Sequence, residues 1–120
     1  MGARSGLLAL GGAALLAVLA GPALAQDDGA GIVGSRCNVC HGDPSSAPAL
    51  AGVAGRPIAS TAYSNYSDAL KAKSKQVWSD ANLDAFLTDS QAFAPGSWMT
   101  YAEPDAKTRA AVIAYLKTLK

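Results

Sequence analysis

The sequence predicts an all-α domain behind a short N-terminal leader, and three observations lead there. Apolar residues recur at helical spacing in Leu83, Phe86 and Leu87, and again in Val112, Ile113, Leu116 and Leu119. No segment alternates apolar and polar residues as a half-buried strand would, and no internal repeat is present. The 120 residues leave room for one domain and hardly for a second.

The leader comes first. Arg4 places a positive charge ahead of residues 7–20, an apolar run of 14 residues rich in leucine and alanine. Gly21 and Pro22 break that run, and Ala23-Leu24-Ala25 supplies the small-x-small pattern of a cleavage site. This layout predicts a secretory signal peptide over residues 1–25, a domain over residues 26–120, and export to the periplasm. The alternative is an uncleaved anchor, but the run is shorter than the roughly 20 residues a membrane span needs. No stable membrane insertion is expected after cleavage.

Removing the leader changes the composition. It holds 17 hydrophobic residues in 25, which leaves 43 in the remaining 95, an ordinary globular share. Without Arg4 the chain's 10 basic residues fall to nine, matching its nine acidic ones. A neutral domain lacks the basic face that displaces counterions from nucleic acid, so no nucleic-acid partner is expected. A domain of this size buries a modest fraction of its surface and needs an extra staple. The two cysteines lie three residues apart, and a bridge between them would close too small a loop to serve.

The helices follow in order. Residues 27–40 predict a short helix, which Gly29, Gly31 and Gly34 weaken while permitting close helix–helix approach. Residues 43–62 are rich in Pro, Gly, Ser and Ala and read as loop, and residues 67–75 as one or two helical turns. Ser79 or Asp80 caps the helix carrying Leu83, Phe86 and Leu87. Pro104 suits the first turn of the last helix, with Asp105 at its positive end.

Cys37-Asn38-Val39-Cys40-His41 is the pattern for covalent attachment of c-type haem. Near a helix end, positions three apart project from one side, so both thiols can reach the two vinyl groups along one porphyrin edge. His41 follows directly as proximal ligand. A structural zinc site would usually need four ligands where three good ones exist, and a thioredoxin-like exchanger would need a βαβ context; both remain alternatives. For the opposite face of the iron, Met99 is the one methionine left in the domain. It follows the turn signal Pro95-Gly96 in Phe93-Ala94-Pro95-Gly96-Ser97-Trp98-Met99, which predicts a shaped loop. Met opposite His raises the reduction potential. A lysine, water or an open position are the rivals, and a core-filling role is the bland reading of Met99.

In the order of these segments the sequence resembles class I cytochromes c, of the mitochondrial-like and bacterial c2 type, over nearly all of the domain. The resemblance implies a small fold of three to five helices around one covalently bound haem c, held by Cys37 and Cys40 with His41 and Met99 as iron ligands. It implies that Gly29 and Val33 cross Val112 and Tyr115 of the last helix. Pro48-Ala49-Leu50 resembles the segment whose proline carbonyl accepts the proximal imidazole N–H. Gly55-Arg56 and Tyr66-Ser67-Asp68-Ala69 resemble the stretches that hold the haem propionates, and Trp78 the indole beside them. Two departures stand out. Phe86 occupies the place where many relatives have a tyrosine whose hydroxyl bonds the methionine sulfur. Trp98 replaces a lysine common before the methionine, and of the basic ring only Lys71, Lys73 and Lys75 form a cluster. Loop packing is expected for Trp98, with docking as the alternative; the lysines read as a solvated helix face.

The implied function is that of a monomeric, soluble, periplasmic one-electron carrier without catalysis. Its partners would be redox proteins: a membrane bc complex or periplasmic dehydrogenase as donor, an oxidase, reductase or photosynthetic reaction centre as acceptor. The alternative is a haem protein with a labile Met99, acting as a small-ligand sensor or peroxidase-like enzyme.

Overall fold

The computed structural model describes residues 24–120, with residues 2, 6 and 11–14 ahead of them. The predicted leader, residues 1–25, lies almost wholly outside the described residues. Helix α1 (Leu24–Ile32) runs through one wide π turn (Val33–Cys37) into α2 (Asn38–His41), making a single rod. Then come α3 (Asp68–Lys71), α4 (Asp80–Thr88), α5 (Ser90–Phe93) and α6 (Ala106–Leu116). Counting the rod once, the described residues form five helical bodies, at the upper end of the expected number. No sheet is present among them, only one isolated antiparallel bridge between Pro57 and Val77. No described helix is long and apolar enough to cross a membrane.

The rod is longer than the helix expected over residues 27–40, and its glycines do not break it because α6 supports it. A Cβ on Gly29 would lie 2.2 Å from the Ala111 carbonyl oxygen and 3.0 Å from Tyr115 Cβ. The two helices therefore touch backbone to backbone, a packing open only to glycine. The expected crossing is present: Gly29 sits on Tyr115 and also on Ala111, while Val33 and Val112 belong to one buried core cluster.

Capping explains the other helix starts. Ser67 accepts from Leu70 N–H to open α3, and Ser79, rather than Asp80, accepts from Asn82 N–H to open α4. Leu83, Phe86 and Leu87 all face inward. Helix α6 corrects one expectation. Pro104 stays outside the helix, because Asp105 in extended backbone is the cap and accepts from both the N–H and the hydroxyl of Thr108. Helix α5 was not anticipated. Its four residues are too few to show periodicity, and the Asp89 carboxylate nucleates it by accepting from Gln91 and Ala92 N–H.

Two predictions follow from these contacts. Gly29→Ala should lower the unfolding free energy by about 2–3 kcal/mol, since the new methyl meets a carbonyl that cannot retreat, as chemical denaturation will measure. The Thr108 hydroxyl and N–H hold the Asp105 carboxyl below the ordinary carboxylate range. Its contribution to stability is therefore present above the unfolded-state pKa and lost as pH falls through the lower folded-state value. Asp105→Ala should lower the melting temperature at neutral pH, and the gap to the parent protein should close on acidification.

Candidate functional site

A cavity of about 400 Å³ lies between the rod, α4, α6 and the long loops. All eight residues singled out from the sequence line it: Cys37, Cys40, His41, Pro48, Arg56, Tyr66, Trp78 and Met99. The end of the rod forms one wall. Cys37 closes the π turn and Cys40 lies three residues on in α2, so the thiols stand about one turn apart on one side. Both are free, Cys37 half-buried and Cys40 exposed. Burial pushes the Cys37 thiol up, with Arg36 pulling the other way.

His41 Nδ1 lies 2.7 Å from the Pro48 carbonyl oxygen. A carbonyl only accepts, so Nδ1 carries the proton and Nε2 keeps its lone pair. That is the tautomer a metal ligand needs, and the hydrogen bond fixes the ring's orientation. The loop after Pro48 is tied down by Arg56, whose Nη1 donates to Ala51 O (3.1 Å) and Nη2 to Ala49 O (3.4 Å). Paired backbone bonds, Trp78 N–H to Arg56 O and Gly55 N–H to Trp78 O, both 2.8 Å, set Arg56 beside Trp78. Trp78 is buried against Phe86 and Phe93, with ring centroids 5.0 and 5.9 Å away. The Tyr66 hydroxyl is hydrogen-bonded to Thr61 Oγ1.

The segment after α5 forms another wall. Gly96 follows Pro95 with φ +91°, the left-handed backbone that the second position of a Pro-Gly turn requires. Beyond it exposure alternates along the chain: Ser97 buried, Trp98 exposed, Met99 half-buried, Thr100 exposed, Tyr101 half-buried. This alternation overturns the expected packing of Trp98, which is 70% exposed because its neighbours point inward. Phe86 is buried in the cavity wall and carries no hydroxyl. The lysine cluster is mixed: Lys71 pairs with Asp68 at 3.7 Å, Lys73 Nζ lies 4.5 Å from the Phe93 ring centroid, and Lys75 is exposed.

The chemistry of this wall fits a flat apolar group bearing carboxylates. The sides are built from Leu83, Phe86, Leu87, Val112 and Leu116. Two polar atoms, Arg56 Nε and Ser97 Oγ, are buried without a partner, and both residues line the cavity. Each can donate to an anionic oxygen, which offsets the cost of burying it. Arg56 is legible in the sequence and Ser97 is not, because a hydroxyl two residues before a methionine is too weak a signal to single out.

The fold and this cavity define the class: a small helical protein wrapped around a pocket whose wall carries Cys-x-x-Cys-His. A sequence model of the cytochrome c family matches residues 26–120. Cytochrome c of Euglena viridis is 41% identical over 91 residues, covering 72% of this chain and 88% of the relative. Among solved structures, cytochrome cH from Methylobacterium extorquens superposes with a TM-score of 0.69 at 32% identity, covering 78% of this chain and 97% of the other. Ferricytochrome c2 from Rhodopseudomonas palustris gives 0.71 at 28% identity, covering 79% and 98%. The chain belongs to the cytochrome c family. It is a one-electron carrier and not an enzyme, and the family implies covalently bound c-type haem.

Proposed function

We propose that the chain acts in the periplasm, after cleavage of residues 1–25, with haem c joined to Cys37 and Cys40 and ligated by His41 and Met99. The observation that carries this reading is the His41–Pro48 hydrogen bond, which leaves Nε2 with its lone pair in a cavity that Met99 also lines. Bound haem supplies an iron that gains and loses one electron. The chain's own residues hold both ligands from backbone-anchored segments, so little rearrangement accompanies a change of oxidation state. Arg56 Nε and Ser97 Oγ donate to the propionates, with Tyr66 and Trp78 enclosing them, and the apolar walls exclude water.

The partners are redox proteins: a membrane bc complex or periplasmic dehydrogenase as donor, an oxidase or reaction centre as acceptor. Docking relies on exposed apolar side chains, Trp98 and Val39, rather than on a basic ring. Several charges are already matched within the protein, Arg36 with Glu103 (3.0 Å), Arg109 with Asp84 (2.8 Å) and Lys117 with Asp80 (3.0 Å).

Met99→Ala should keep the covalent haem, lower the reduction potential and admit exogenous ligands; an unchanged potential would mean another sixth ligand. Electron transfer to a partner should change by less than about tenfold between low and physiological ionic strength, and Trp98→Ala should slow it at either. A steep salt dependence, with Trp98→Ala silent, would reject apolar docking.

A further inference from the structure

One side chain holds the methionine segment in place. Gln91, half-buried on α5, donates from Nε2 to the carbonyl oxygens of Ser97 (2.7 Å) and Met99 (3.0 Å). Its Oε1 accepts from Gly96 N–H at 3.2 Å. Both amide protons and the amide oxygen are thus engaged by residues 96–99. The only other hydrogen bond to that segment among the described residues is Ser97 N–H to Ala94 O, 2.9 Å. Gln91 is itself anchored. Its backbone N–H donates to Asp89 Oδ1 at 3.0 Å, and the neighbouring Ser90 N–H donates to Tyr101 O at 2.9 Å, beyond the far end of the segment. Phe86, in the same cavity wall, offers the Met99 thioether no hydroxyl.

We propose that Gln91 is the positioning residue that keeps Met99 on the iron, acting as a latch on the backbone of residues 96–99. This rests on the reading of Met99 as sixth ligand. With no hydroxyl from Phe86, the thioether is held by where its backbone is held, and three of the four hydrogen bonds to that backbone come from one carboxamide. Without them, the segment swings on the Pro95-Gly96 turn and exposes the sixth position.

The test compares parent, Gln91→Leu and Gln91→Glu holoproteins in the ferric state. Leucine removes all three bonds; glutamate keeps an oxygen for Gly96 N–H but loses both donors to the carbonyls. In both variants the sulfur-to-iron absorption band should weaken, and added imidazole should bind about tenfold tighter or more, well below the unfolding temperature. Hydrogen exchange at Gly96 N–H should accelerate in the leucine variant. A lower melting temperature with parental imidazole affinity and an intact sulfur band would make Gln91 merely structural and overturn the latch. Absence of that band from the parent would overturn Met99 ligation first, and the latch with it.

Discussion

The crossing of α1 and α6 at Gly29 sets the geometry on which the rest of the molecule depends. The Ala111 carbonyl occupies the space a side chain would take, so the two backbones touch there. From that point the rod runs 12 residues to His41, about 18 Å at helical rise. Helix α6 meanwhile presents Val112 and Leu116 to the cavity. A looser crossing would change the angle between these elements, and the histidine would move relative to the apolar wall behind it. The π turn at Val33–Cys37 lies between the crossing and Cys40-His41, where one extra residue in a turn re-aims all that follows.

The loops around the cavity are held by side chains bonded to backbone. Arg56 gathers the carbonyls of Ala49 and Ala51, just beyond the proline that receives His41. Gln91 does the same for Ser97 and Met99 on the other side. A guanidinium and a carboxamide are suited to this because each offers several donors from one rigid plane, so a single side chain can fix the shape of a turn. Both bond carbonyls only five to eight residues away in sequence, and Arg56 still keeps its Nε for the cavity.

Charge plays a small part. Matched pairs join the rod to the 103 position and α4 to α6, which quiets the surface instead of giving it a polarity. Trp98, by contrast, stands 70% exposed beside the methionine segment. Large exposed aromatic side chains are concentrated at protein interfaces, since an indole buries much area at little conformational cost. Specificity drawn from such a surface depends on shape and contact, with electrostatic steering reduced to a minor contribution.

What the sequence determined by itself was local. The Cys-x-x-Cys-His spacing, the capping of α4 at Ser79 or Asp80, the apolar stripes of α4 and α6, and the Pro-Gly turn were legible because each depends on residues within a few positions of one another. Cys37, Cys40, His41 and Met99 could be named from motif and elimination, Pro48, Arg56, Tyr66 and Trp78 only from the family resemblance, and all eight share one cavity. Tertiary structure alone decided the rest. The α1 helix survives its glycines because α6 packs on it, and α5 exists because Asp89 caps it in that setting. Trp98 points outward because its buried neighbours point in, and Arg56 serves the 49–51 loop with two donors while keeping Nε for the cavity. Ser97 and Gln91 left no mark on the sequence, since a buried hydroxyl and a carboxamide take their meaning from which atoms the fold brings within hydrogen-bonding distance.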